Sequence, residues 1–334
     1  MRLSTSNSEL STASFNRASA SLVAILGLLS LCCELGTRYG FQRISRIQQR
    51  IRGEKMAFLA LRPAAPGTPR NVAMVGNSLL LASVNVPLLN QLGSGKFNYS
   101  RLVAEQTQYA DWYFGLKRLF GEGAHPDAIV LVFGAHHWLA DTVRGEYFAH
   151  ELMRSRDVFQ LAHELDLDRT TAANHFFASF SAWLGGRAEI RKFILSHMLP
   201  DLQHFVGKLN PASPSYPAEE AIFSKVRERM ARLKTLCDSH GIQLLTVLHP
   251  TLQARAPFDA FAKAAEAAAL PLVLPVAKLA YPSALYADLY HLNAQGMERF
   301  TRDLVAPLES QLLGDHPPGN VRRPNEHAKN SARP

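Results

Sequence analysis

The chain has 334 residues, 47% of them hydrophobic and 9% aromatic, which suits a globular protein of one large domain or two small ones with attachments. Three cysteines, with Cys32 and Cys33 adjacent in an apolar run and Cys237 alone in an expected helix, exclude a disulfide framework and offer no metal-ligand spacing. The formal charge of +8 is partly gathered between Arg38 and Lys55 and in the C-terminal tail, and no helix-turn-helix, zinc-finger or RNP-type motif accompanies it, so no nucleic-acid partner is expected.

Residues 1–17 are rich in Ser, Thr and Asn and are expected to be disordered. From Ala18 to Cys33 no charge interrupts the sequence. The run is shorter than the roughly 20 residues that cross a bilayer comfortably. Residues 18–36 are nevertheless read as a transmembrane anchor, with a buried helix of the soluble domain as the alternative. The following Cys-Cys-Glu-Leu-Gly-Thr lacks a small-x-small cleavage site, so the anchor is expected to stay uncleaved. Residues 37–70 continue as a basic juxtamembrane segment. In it Phe41, Ile44, Ile47 and Ile51 recur at near-helical spacing among Arg38, Arg43, Arg46, Arg50 and Arg52, the pattern of an amphipathic helix at a membrane surface. Leu61 to Arg70, with three prolines and a glycine, predicts a stiff linker.

The folded domain is expected at 71–313. Val72 to Val75 is a short apolar run of the kind buried on both faces of a sheet, and Gly76-Asn77 ends it in a turn. Leu79 to Leu92 predicts a helix, Phe97 to Val103 a weaker strand, and Gln106 to Phe120 an aromatic-rich helix. Asp127 to Phe133 is the strongest strand, with Gly134-Ala-His-His137 as its exit turn. A helical insertion at 141–215 interrupts the alternation; within it Phe176, Phe177, Phe180 and Trp183 at helical spacing predict core packing, with a lid or membrane-partner face as the alternative. A helix over Ala218 to His240, a strand over Ile242 to Leu248, a helix over Pro257 to Ala269 and a proline-containing edge strand over Leu270 to Val276 follow. A closing helix runs from Asn293 to about Leu313, and 314–334 is expected to be a disordered tail. This βαβα order predicts a parallel sheet with helices on both faces.

Ser78 stands at the exit of the first strand, the edge of such a sheet where ligands bind. Alone it would read as an N-cap. Asp288 and His291, three apart in Tyr286-Ala-Asp-Leu-Tyr-His-Leu-Asn-Ala-Gln-Gly296, change that reading. A carboxylate at this spacing can fix the tautomer of its imidazole and stabilise the imidazolium, and the imidazole can activate a serine from the opposite end of the domain. His136, His137 and His249 also fall at strand exits, but no metal-binding motif joins them, so neither a metal nor any other cofactor is expected. His249, followed by Pro250, is expected to line the substrate cleft.

Gly76-Asn77-Ser78 and Asp288-Leu-Tyr-His291-Leu-Asn-Ala-Gln-Gly296 resemble the first and last sequence blocks of the SGNH/GDSL hydrolases. The resemblance covers about 71–313 without the insertion. It implies an α/β three-layer sandwich with a parallel, flavodoxin-like five-stranded sheet, a Ser78, His291, Asp288 triad, and hydrolysis or transfer of an ester-linked acyl group. The anchored layout is similar to SGNH-type proteins that add or remove O-acetyl groups on envelope polysaccharides. That likeness implies an acylated carbohydrate or small ester as substrate, a membrane-protein partner as a possibility, and an extracytoplasmic, periplasmic domain. The positive-inside rule, applied to the basic segment, argues for the opposite side. The family's oxyanion hole uses a glycine after the second strand and a Gly-x-Asn block after the third. Here Glu105-Gln106-Thr107 and Gly134-Ala-His136 stand at those places, so the Gln106 amide and the His136 imidazole are the expected substitutes, beside Asn77 and Gly134. The altered blocks also support an alternative, a catalytically weak or inactive scaffold of an envelope polysaccharide machinery.

Overall fold

The most apolar runs of the chain form the sheet. In a computed structural model, which describes residues 8–143, 145–199, 216–252, 257–275 and 281–314, five parallel strands lie in the order β2-β1-β3-β4-β5. They are β1 Arg70–Gly76, β2 Phe97–Val103, β3 Ala128–Phe133, β4 Gln243–Leu248 and β5 Leu272–Val273. Alternate side chains serve two cores. Val75, Leu102, Ile129, Leu131 and Leu244 face a layer of helices Tyr109–Gly121, Glu219–Asp238 and Phe258–Ala267. Val72, Met74, Val130, Val132 and Val247 face Leu80, Leu89 and the closing helix Ala294–Leu313 through Phe300, Leu304 and Leu308. All six residues of β3 are buried, as a central strand covered on both faces requires. Each such Val or Leu side chain contributes about 1.5–3 kcal/mol.

The register brings the strand ends level. Gly76 pairs with Val103 on one side and Val132 on the other, and Phe133 pairs with Leu248. The turns that carry Ser78, Gln106, Gly134 and His249 therefore open on one edge.

Three elements depart from expectation. The helix expected over Leu79 to Leu92 is two, Ser78–Ser83 and Val86–Leu92. Val84 and Asn85 are extended between them; the Asn85 side chain accepts from Leu88 N–H at 3.1 Å and Pro87 sits in the first turn, so a fresh helix start is encoded mid-run. The last strand is only Leu272–Val273, because Pro271 can offer its carbonyl to Thr246 N–H, at 3.0 Å, but has no N–H to return. Its expected end at Val276 lies outside the described residues.

The third departure concerns the segment before the sheet. Arg46–Ala60 is a helix capped by Ser45, and its Ile51 and Phe58 are buried in the domain. It covers the edge strand β2: Arg50 donates to the Val103 carbonyl at 3.0 Å, and Glu54 accepts from Val103 N–H at 2.9 Å and from Arg101 at 2.8 Å. Edge backbone that would otherwise stay open is thus paired. This helix, expected at a membrane surface, packs against protein, and the fold starts well before Asn71.

Ahead of it, one helix spans Ser8–Leu35, running back into residues expected to be disordered, and passes through a π-helical turn, Gly36–Phe41, into Gln42–Ile44. Its portion Asn16–Ile44 is long and apolar enough to cross a membrane, and the most apolar stretch is nowhere buried by the domain. The insertion is helical, with Glu146–Leu152, Ser155–Glu164, Arg169–Phe180 and Ala182–Met198 and no strand among the described residues. Residues 200–215 and the tail beyond Gly314 lie outside them. Leu152, Val158, Leu161 and Ala178 join the core, whereas Phe177 and Phe180, expected there, are exposed.

Candidate active site

Glycine at position 76 is dictated by its neighbour strand. A Cβ there would stand 2.6 Å from the Val132 carbonyl oxygen, so β1 can run against β3 up to its last residue only without a side chain. The chain then turns through Asn77, which is fully buried. Asn77 Oδ1 accepts from Leu79 N–H at 3.0 Å and caps the Ser78–Ser83 helix, while its Nδ2 donates to the Thr107 carbonyl at 3.0 Å. The cap is therefore Asn77, which leaves the Ser78 hydroxyl uncommitted to the helix. Asn77, expected to serve the oxyanion or substrate, has both ends of its amide engaged in holding two turns together.

Asp288 and His291 reach the same edge on the loop before the closing helix. The loop is pinched by a bridge between Tyr286 and Leu292, by Ala287 N–H donating to the His291 carbonyl at 2.8 Å, and by Asn293, which caps the helix through Gly296 N–H at 3.0 Å. Gly296 is required because a Cβ there would overlap the Leu285 carbonyl oxygen. Within the loop Asp288 Oδ1 accepts from the N–H groups of Tyr290 and His291, each at 2.7 Å, and Oδ2 lies 2.8 Å from His291 Nδ1. His291 Nε2 lies 2.9 Å from Ser78 Oγ. Partial burial opposes ionisation of Asp288, but the two N–H groups and the imidazole outweigh it and hold the carboxyl below its ordinary range. An ionised Asp288 accepts a hydrogen bond from the Nδ1–H, which keeps the proton on Nδ1 and leaves Nε2 with the lone pair facing the Ser78 hydroxyl. Asp288 keeps 54% of its side-chain exposure and His291 32%, so the relay is open to solvent rather than sunk in a cleft.

The expected oxyanion groups are distributed unevenly around this relay. Gln106 is exposed and has φ 63°, a left-handed conformation that a side chain rarely adopts and that costs about 1–3 kcal/mol. Its loop is tied to the Ser78 turn through the Asn77 to Thr107 bond. Gln106 thus holds at this place the backbone shape that a glycine adopts freely. Gly134 is buried against Leu79, the residue after Ser78: a Cβ on it would meet Leu79 at 3.1 Å and the His136 ring at 3.2 Å. His136 is half-buried, its ring tilted at 39° against that of His137 with centroids 3.8 Å apart and 5.6 Å from the Tyr290 ring, beside the loop of Asp288 and His291. Burial pushes its pKa down to about 4, so at neutral pH it is an uncharged imidazole that can still donate from one nitrogen.

His249 does not line an open cleft. It is buried beneath the edge, its ring 5.6 Å from that of Phe300, and desolvation, helped by the nearby His291, lowers its pKa to about 3. An imidazole following a strand is as compatible with the interior as with a cleft, and the sequence carried no sign to separate the two. Among the described residues no three His, Cys, Asp or Glu side chains are grouped so as to hold a metal. A surface concavity of about 640 Å³ lies between Tyr113, Arg227 and Arg232, away from the relay.

No protein-family model matches this chain, and no curated protein matches it in sequence. Among solved structures it is similar to LAE5, an alpha/beta hydrolase enzyme from the metagenome of Lake Arreo, Spain, at TM-score 0.39 and 10% identity over 72% of this chain and 96% of that one. It is also similar to a GDSL-like lipase from Bacteroides thetaiotaomicron VPI-5482, at TM-score 0.38 and 10% identity over 80% of this chain and 98% of that one. Likenesses at this level carry no weight for the chemistry.

Proposed function

We propose that this chain is a membrane-anchored serine esterase or O-acyltransferase acting on acyl esters of cell-envelope carbohydrate. The observation that carries the reading is the hydrogen-bonded line Asp288, His291, Ser78, assembled from residues 213 positions apart in sequence. In this account Ser78 Oγ attacks the acyl carbonyl while its proton passes to His291 Nε2, and Asp288 stabilises the imidazolium. Collapse expels the alcohol, which takes that proton, and leaves an acyl group on Ser78. Water or a sugar hydroxyl, deprotonated by the same imidazole, then attacks and releases the acid or the new ester.

The developing oxyanion is assigned to the Ser78 N–H, in a first helical turn whose amides have no partner inside the helix, and to the Gln106 N–H, with His136 as the third donor. The open relay suits an acceptor too large to enter a pocket. An extracytoplasmic domain follows from that acceptor class, and the apolar Asn16–Ile44 helix is compatible with it.

Hydrolysis of a short-chain p-nitrophenyl ester tests the reading. Wild-type turnover that Ser78→Ala abolishes supports it, and equal rates for the two proteins refute it. A catalytically weak scaffold is the second reading, favoured by the inward commitment of the Asn77 amide and the absence of an asparagine after Gly134. Binding of envelope glycan without any difference between wild type and Ser78→Ala would select it.

A further inference from the structure

The N-terminal helix is bolted to the insertion by one carboxylate. Glu34, at the end of the apolar stretch, accepts from the N–H groups of Ala182 and Trp183, each at 3.0 Å, and from the Ser181 hydroxyl at 2.8 Å, and it pairs with Arg38. Arg38 in turn donates to the Phe180 carbonyl at 3.1 Å. A carboxylate at the start of the Ala182–Met198 helix also meets the positive end of its dipole. The orientation of the anchor relative to the domain is thereby fixed rather than left to a linker.

Apolar side chains spread to both sides of this junction. On one side Phe180, Phe177 and Phe176 touch one another with ring centroids 5.3–5.8 Å apart, and Phe176 continues to Phe159 at 5.3 Å. Phe159 is 65% exposed, and Phe177 and Phe180 are each 48% exposed. On the other side Phe41, just beyond the anchor, packs edge-on against Phe193 of the Ala182–Met198 helix at 5.6 Å. Beyond Phe193 that helix leaves Ile194, Met198 and then Leu199 exposed, with Arg191 and Lys192 exposed beside them. Exposed aromatics and aliphatics flanked by basic residues are the signature of a helix lying in the headgroup region, and a patch this extended has no place in water.

The geometry points to the bilayer interface as the partner of this surface: the insertion lies against the membrane around the anchor, with Phe159, Phe177, Phe180, Ile194 and Met198 in the lipid and Glu34 as the pin that sets the tilt. The inference rests on the reading of the N-terminal helix as a span, which is the membrane part of the proposed function. Continuity with that span is what identifies lipid, rather than a second protein, as the occupant.

Nitroxide accessibility of the full chain in phosphatidylcholine and phosphatidylglycerol vesicles tests it. Cys32→Ser, Cys33→Ser and Cys237→Ala supply a cysteine-free background that must retain the circular dichroism of the wild type. Labels are then placed singly at Phe177→Cys and Ile194→Cys, at Leu26→Cys within the span, and at Glu228→Cys on the exposed face of the Glu219–Asp238 helix. Labels at 177 and 194 are expected to behave like that at 26, reached by oxygen and shielded from a water-soluble nickel chelate, whereas 228 behaves oppositely. Chelate access at 177 and 194 with a lipid-exposed 26 would overturn the inference and leave the anchor standing. Protection of 177 and 194 from both reagents would put protein there, residues 200–215 or a partner, and would overturn it equally. Chelate access at 26 itself would remove the anchor and the inference together. Adding Glu34→Ala is expected to raise chelate access at 177 and 194 without altering 26; no change would contradict the pinning role.

Discussion

Asn77 and Thr107 join the turn that carries Ser78 to the loop after β2 by a buried hydrogen bond of 3.0 Å, so the residue that caps the Ser78 helix also sets the position of Gln106. Asn77→Ala is expected to cost about 1–3 kcal/mol, a cap plus a carbonyl left without its donor. The accompanying loss of ester turnover should fall on kcat more than on KM, because the groups displaced are those facing the transition state. Urea unfolding and steady-state kinetics on one preparation read both.

Gln106 separates two ways of holding an oxyanion. If the backbone N–H donates, Gln106→Gly keeps activity, and relief of the left-handed strain is offset by the glycine's extra freedom in the unfolded chain, about 0.4–1 kcal/mol. If the side-chain amide donates, Gln106→Ala and Gln106→Gly both lose about 100- to 1,000-fold in kcat. The account expects the first outcome, read from kcat of the two variants side by side.

Asp288→Asn is expected to lower kcat by about 10⁴ while leaving the fold intact, because an amide favours the wrong imidazole tautomer. Ser78→Ala, His291→Ala and the double variant should be equally inactive, since residues that act as a unit do not add. Additive losses would mean that the two side chains do not share a step.

Acid sensitivity has a buried source in His249. Its folded pKa, about 3, lies below the ordinary histidine value of about 6.5 that it regains on unfolding, so between those values the unfolded chain binds more protons. Stability is full above the unfolded value and falls as pH drops through this window. His249→Phe, beside Phe300, should flatten the dependence of unfolding free energy on pH in that range. A slope identical to wild type would show that the imidazole is not held neutral. Asp288 acts in the same direction at lower pH: its folded pKa is depressed, so its contribution is present above the ordinary carboxylate value and lost below it.

The sheet and the approach of Asp288 to His291 were legible because their signals are local. Val72 to Val75 and Ala128 to Phe133 are apolar runs that only a doubly covered strand explains, and Asp288 with His291 lies within one short loop. The split at Asn85 is encoded just as locally, in an Asn followed by Pro87, but lies within a longer apolar pattern that reads as one helix. Other features depend on partners far away in sequence. The basic stripe Arg38 to Arg52 reads alike beside lipid and beside protein, and the hydrogen bonds of Arg50 and Glu54 to the Val103 backbone, with the burial of Ile51, separate the two. The left-handed turn at Gln106 and the interior placement of His249 had no sequence sign, because both are set by how loops pack at the sheet edge.

The central claim is that Ser78 is a nucleophile activated by His291. Labelling the full chain with a serine-reactive fluorophosphonate, followed by peptide mass spectrometry, measures it most directly. The account predicts a single phosphonyl adduct on the peptide containing Ser78, absent in Ser78→Ala and slowed at least a hundredfold, about 3 kcal/mol, in His291→Ala. Absence of an adduct at Ser78 in the wild type, or equal labelling rates in wild type and His291→Ala, would contradict it.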